Sequence, residues 1–172
     1  MNSRKKILLV DDDEDLRTSL AEQLGVYEKF AASEAVSGAE ALEAVKAQSF
    51  DLVLLDICLP DMDGHELSEL LRRNEVKSPI IMLTDADSEF DTILGHNVGI
   101  NDYITKPFRF SMLLARISAQ LRRQEQSDDA TFPIGRYTFC PAAKLLIDPD
   151  SQRKVHLTEK ETEILKYFYL AQ

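Results

Sequence analysis

Short apolar runs that each stop on a polar residue constrain this chain more than any other feature. Ile7–Val10 stops at Asp11-Asp12-Asp13, Leu52–Leu55 at Asp56, Pro79–Leu83 at Thr84, and the shorter Tyr103–Thr105 at Lys106-Pro107. An apolar run this short and without alternation reads as a strand buried on both faces. Phe30–Val36 adds a weaker, Ala-rich strand. Segments of helical spacing lie between the strands: Asp13–Leu24 with Leu16, Leu20 and Leu24; Ala39–Ala47 with Ala41, Leu42 and Val45; Glu66–Arg73; residues 88–97, closed by Gly99; and Phe110–Arg123 through Leu113, Leu114, Ile117 and Leu121. Five strands alternating with five helices predict an α/β fold, a doubly wound five-stranded parallel sheet with helices on both faces. In such sheets ligands bind beyond the carboxyl ends of the strands. Asp11, Asp12, Asp56, Thr84 and Lys106 all fall there.

Composition narrows the function classes. Of 172 residues, 44% are hydrophobic and 29% charged, enough apolar material for a real core. Thirty acids against 20 Lys and Arg give a net charge of −10, which argues against coating nucleic acid or an anionic membrane by bulk charge. No apolar run approaches the roughly 18 residues of a membrane span. The four apolar residues after the N-terminal basic cluster run straight into acids, so no signal peptide is expected. Two cysteines, Cys58 and Cys140, form no CxxC, which excludes a disulfide scaffold or zinc finger and makes a reducing cytoplasm the expected location.

Residues 124–133 are polar, acidic and aperiodic, and read as a linker. GRYTFC, KLLID and RKVHL follow, three strand candidates broken by turn residues, which predict a small antiparallel β-meander. Thr158 with Glu161 three residues on is a capping box that opens one more helix. The expected organisation is a first domain over 1–123, a linker over 124–133 and a second unit over 134–172.

Three carboxylates on adjacent strand ends repel one another, and a divalent cation relieves them. Oxygen ligands with open positions favour Mg²⁺, which keeps waters and binds phosphate oxygens. Lys106 adds a point charge and Thr84 a hydroxyl. Together they describe a site for a phosphoryl group carried on a carboxylate.

ILLVDDDEDLR, DLVLLDICLPDMDG, PIIMLT and NDYITKPF, in this order, resemble the receiver domain of two-component response regulators, with its CheY-like, flavodoxin-like fold. The resemblance covers residues 4–123. It implies that Asp56 is the phosphoacceptor for a histidine kinase or phosphotransfer protein. It implies that Asp11, Asp12, Asp56 and the backbone carbonyl of Cys58 hold Mg²⁺. Lys106 would contact the phosphate, Thr84 and Tyr103 would be the switch pair, and Lys106-Pro107 would be a cis peptide. Such a protein is not an enzyme beyond its own phosphorylation and dephosphorylation. GRYTFCPAAKLLIDPDSQRKVHLTEKETEILKYF resembles the N-terminal sheet and first helix of the winged-helix effector of the OmpR/PhoB subfamily. Its helix-turn-helix and wing would follow residue 172. DNA is therefore a partner only through an effector that is incomplete here, and residues 1–172 are not expected to bind DNA specifically.

The chain departs from the family pattern in two places. The residue after the switch threonine is usually small, but here it is Asp85, a fourth carboxylate at the rim that would repel and crowd a phosphodonor. OmpR/PhoB receivers also pair through the fourth helix, fifth strand and fifth helix. Asp102 and Arg116 match one charge pair of that face, whereas Arg123 faces neutral Asn97 where an acid is usual. Exposed Ile100, Phe110 and Met112 would make the face more apolar, so a homodimer there would be differently built. Other polar residues have plainer readings. Asp13 reads as a helix cap, Asp61 and Asp63 as solvated loop acids, His65, His96 and His156 as surface or loop residues, and Cys58 as a small apolar filler.

Two other functions compete with the phosphorylated receiver. A haloacid-dehalogenase-like phosphohydrolase would use Asp11 as nucleophile, since Asp11-Asp12-Asp13 satisfies Asp-x-Asp, but Asp15 stands where Thr or Val is usual and no cap domain is visible. A receiver-type interaction module that takes no phosphate is suggested by Asp85.

Overall fold

In the computed structural model of the chain, residues 4–85, 99–126 and 131–170 are described. Strand β1 (Lys5–Val10) has a run of four apolar residues, each at most 1% exposed. Its neighbours are β2 (Phe30–Ala35) and β3 (Leu52–Asp56), followed outward by β4 (Ile80–Asp85) and β5 (Asp102–Lys106). The sheet order is β2-β1-β3-β4-β5, with every pairing parallel. The chain winds from β1 to β2 on one side, then crosses back to β3. The sequence expectation of a doubly wound parallel sheet is met.

Helices cover both faces because successive strand residues point to opposite sides. Ile7 and Leu9 join Leu20 and Leu24 of α1 (Glu14–Gly25) and Leu113 and Ile117 of α4 (Phe110–Gln126). Leu8 and Val10 join Ala41 of α2 (Gly38–Ala47) and Leu67 and Leu71 of α3 (Gly64–Arg73). The helix expected over 88–97, with His96 and Asn97, lies outside the described residues.

The helix starts are held by side-chain oxygens on the orphan N–H groups. Asp13 accepts from the Leu16 N–H, Ser37 from Glu40 and Asp63 from His65. Asp61 reaches across from the β3–α3 loop, and its two carboxylate oxygens accept from the N–H groups of Gly38 and Ala39, each at 2.9 Å. Asp61 and Asp63 are exposed loop acids, as expected, and they also cap helix starts. Gly64 lets that loop close, since a Cβ there would sit 2.5 Å from the Asp56 carbonyl oxygen.

Contacts divide the chain into Met1–Leu121 and Arg122–Gln172. The second unit holds a four-stranded antiparallel sheet, β6 (Phe132–Ile134), β7 (Tyr137–Cys140), β8 (Leu145–Ile147) and β9 (Lys154–His156), in sequential order, then α5 (Glu159–Leu170). β6 was not expected as a strand, and it and the last residues of α4 take up the ends of the stretch read as linker. Phe132 and Phe139 form the core of this unit with Leu146, Leu157, Leu165 and Tyr169. The capping box forms: the Thr158 N–H donates to Glu161 at 2.7 Å, and the Glu161 N–H to the Thr158 hydroxyl at 3.4 Å. Among the described residues no helix is long and apolar enough to cross a membrane.

Candidate functional site

β1 and β3 are adjacent and in register, Val10 opposite Leu55, so Asp11 and Asp56 emerge side by side at the same end of the sheet. Both are buried, whereas Asp12 is exposed. One potential ligand oxygen from each of Asp11, Asp12 and Asp56 lies within 4.8 Å of the others. Lys106, at the end of β5, donates from Nζ to Asp11 Oδ2 at 3.0 Å and Asp56 Oδ1 at 3.2 Å. The other Asp11 oxygen accepts the Asp13 N–H at 2.9 Å, which fixes the carboxylate plane.

The electrostatics follow from this crowding. Burial raises the Asp56 carboxyl above its ordinary value, the Asp11 charge adds to the rise, and Lys106 opposes both. Burial alone would lower Lys106. Hydrogen bonding and charge from Asp11, then from Asp56, outweigh it, so the ammonium is held firmly protonated. Two buried acids with one half-buried ammonium, and a third acid at the edge, leave a surplus of negative charge suited to a hard divalent cation.

Comparison with known proteins places this arrangement. The response regulator receiver domain family matches residues 7–118. The chain belongs to that family. The chain is 38% identical, over 95% of its length and 71% of that protein, to the alkaline phosphatase synthesis transcriptional regulatory protein PhoP of Bacillus subtilis. It is 34% identical to the transcriptional regulatory protein RprY of Bacteroides fragilis, over 96% of this chain and 70% of that protein. Among solved structures, a CheY-like response regulator receiver domain from Methanospirillum hungatei JF-1 superposes with a TM-score of 0.67 at 35% identity, covering 72% of this chain and 98% of that one. The receiver is thus homologous to two-component transcriptional regulators of OmpR/PhoB type, and the haloacid-dehalogenase reading is not favoured.

Around the receiver's acidic centre, Thr84 is buried at the end of β4, and its hydroxyl donates to the Asp85 carbonyl at 2.9 Å. Tyr103 is half-buried on β5, with its ring 6.5 Å from that of His65. Lys106-Pro107 is cis. Asp85 is exposed and near enough to Cys58 to raise its thiol, after burial and Asp56. Cys58 itself is exposed, so its side chain is no apolar filler; its backbone bridges to Asp63 and closes the loop after β3.

The expected dimer-face residues fare differently from one another. One Arg116 nitrogen donates to both Asp102 carboxylate oxygens at 3.0 Å, within the same chain. Arg123 and Met112 are exposed, but Ile100 and Phe110 are half-buried, each packed against one of the two core clusters. Of the three apolar residues expected to be exposed there, only Met112 is.

Sequence reasoning missed several positioning residues. Asp63 carried a signal, since Glu66 three residues on makes a capping-box pattern. His65 bonds Asp63 through Nδ1 at 3.0 Å rather than standing free in a loop. Asp61, Arg17 and Glu34 carried no signal, because their partners lie at separations with no local periodicity.

Proposed function

We propose that Asp56 accepts a phosphoryl group from a histidine kinase or a histidine-containing phosphotransfer protein. The phosphorylated receiver then controls a DNA-binding transcriptional effector in the cytoplasm. One observation carries the reading: a buried strand-end carboxylate shares a lysine ammonium with a second carboxylate, as a phosphoacceptor site requires. A carboxylate oxygen of Asp56 forms the new P–O bond while the P–N bond to the donor histidine breaks and the imidazole leaves with the electron pair. Lys106 exchanges a carboxylate oxygen for a phosphoryl oxygen and neutralises part of its charge. The Thr84 hydroxyl leaves the Asp85 carbonyl for another phosphoryl oxygen, and Tyr103 follows as the second member of the switch pair.

The donor set of three carboxylates within reach of one another fits Mg²⁺. Asp11, Asp12, Asp56 and the Cys58 carbonyl would hold it, and when bound it supplies neutralising charge to the phosphoryl oxygens. The chemistry ends with the receiver's own phosphorylation and dephosphorylation. Homodimerisation through β5 and α4 would use Asp102, Arg116 and Arg123, and a second copy would share the Asp102–Arg116 pair already formed within the chain.

Incubation with acetyl phosphate and Mg²⁺, followed by mass spectrometry, tests the reading. The expected result is one added phosphoryl group on Asp56, absent in Asp56→Asn. Label on Asp11 overturns it in favour of hydrolase-type chemistry. No label at all overturns it in favour of an interaction module that takes no phosphate, the reading that the Asp85 rim position supports.

A further inference from the structure

Arg17 is a charged side chain kept only 8% exposed beside the acidic centre. Its Nε donates to Glu34 Oε2 at 2.9 Å, and a terminal nitrogen donates to the backbone carbonyl of Asp11 at 2.7 Å. That carbonyl belongs to the peptide joining Asp11 to Asp12. The Asp11 N–H donates to the Ala35 carbonyl on β2 at 3.2 Å, and Asp11 Oδ1 takes the Asp13 N–H. The segment is therefore held from β2, from α1 and from the cap turn.

Consecutive side chains of a strand point to opposite sides, but β1 ends at Val10 and the chain bends at Asp12. Asp11 is buried and Asp12 exposed, yet both offer an oxygen to the same small volume. Only a limited range of orientations of the intervening peptide allows that, and rotating it swings the Asp12 carboxylate away. We propose that Arg17, braced by Glu34, is a positioning residue that fixes the Asp11–Asp12 peptide so that both carboxylates converge on one Mg²⁺. The proposal rests on the reading above that these acids hold the ion. Glu34 stands on β2 opposite Leu9 of β1, and its carboxylate compensates the guanidinium for lost water. The pair carries no net charge, so it orients the metal site without adding a cation to it. A lysine at position 17 offers a point charge in place of a planar fork and cannot serve both partners in this geometry.

The test titrates Mg²⁺ into the 172-residue chain and follows the Asp12 and Asp13 amide resonances. The Mg²⁺ dependence of phosphorylation by acetyl phosphate is measured in parallel. Arg17→Lys is expected to weaken Mg²⁺ binding about tenfold, the size seen when a partner of a metal ligand is lost. The rate at saturating Mg²⁺ should stay close to that of the unaltered chain, and the melting temperature in chelator should fall modestly, because the lysine leaves one buried partner unbonded. Glu34→Gln should weaken binding in the same direction by less, and its effect should shrink with added salt, because it leaves the Arg17 charge uncompensated. If Arg17→Lys does not fold, Glu34→Gln, altered at a half-exposed side chain, carries the same measurement. Saturable binding in the unaltered chain with unchanged affinity in the variants overturns the positioning role alone. So does a lost maximal rate at unchanged affinity. No Mg²⁺ response in the unaltered chain overturns the metal reading and this inference with it.

Discussion

The two sheets of this chain solve the burial problem in opposite ways. β1, β3 and β4 are covered on both faces, and nearly all of their residues are buried. Their polar stops have nowhere to go except the carboxyl end, and there they meet. The β6–β9 sheet has only half-buried residues along β8 and exposed ones along β9, and its core is two phenylalanines with a ring of partly buried neighbours. Its charged residues scatter: Asp148 pairs with Arg136 at 3.3 Å and stays a turn device. A doubly covered parallel sheet concentrates chemistry at one end, whereas a sheet with an open face disperses it.

Four experiments test that contrast. The largest effect is expected from Phe139→Ala. Removing a fully buried aromatic from so small a core costs about 3–5 kcal/mol, enough to unfold the second unit. Every residue of the candidate site lies in the first unit, so phosphorylation of Asp56 should persist. Joint loss of near-ultraviolet dichroism and phosphorylation would show that the site depends on both sheets.

Next comes the metal. Mg²⁺ at about a hundred times its dissociation constant should stabilise the first unit by about 2.7 kcal/mol. Calorimetry should show only the first unit's transition move, and Asp12→Ala should abolish the movement. A shift of both transitions, or one that survives Asp12→Ala, places the binding elsewhere.

Asp85 comes third. Two unit charges about 6 Å apart at an effective dielectric near 20 interact by roughly 3 kcal/mol before screening, and an exposed rim position would feel about a third of that. Asp85→Asn should therefore speed phosphorylation by acetyl phosphate several-fold, with less gain at high salt. Asp85→Ala adds the effect of bulk. Equal rates in all three proteins mean that the rim acid does not face the incoming donor.

The smallest effect concerns Asp61, whose carboxyl is held below its ordinary value by the Gly38 and Ala39 N–H groups. A depressed value means that the ionised form favours the fold. Its contribution is present above the ordinary carboxylate value and is lost as pH falls through the lower folded value. Asp61→Asn should lower the melting temperature by a few degrees at neutral pH, with the difference closing as pH falls through the lower folded value. A pH-independent difference would mean that shape rather than charge joins the loop to α2.

Much of this was legible in the order of residues. Unbroken apolar runs such as Leu52–Leu55 specify strands buried on both faces, since no one-sided sheet tolerates them, and the polar residue ending each run marks the site. Asp13 and the Thr158–Glu161 box were legible because caps act over three residues. The sequence also suggested that Asp102 and Arg116 face a second copy. Their bond within one chain follows from α4 packing back beside β5, an adjacency that no local pattern encodes.

Residue order carries the strand runs, their polar ends, the Asp13 and Thr158–Glu161 caps and the family, all features in which interacting residues are close in order or repeat with the period of an element. Packing in three dimensions sets the rest: Arg17 bridges Glu34 and the Asp11 carbonyl, Asp61 reaches back to the start of α2, and the Thr84 hydroxyl rests on the Asp85 carbonyl. The first link joins residues brought together as the chain winds from β1 through α1 to β2, the second forms when it crosses back to β3, and the third is a choice of side-chain rotamer made by the packed surroundings. Chain order alone carries neither kind of information.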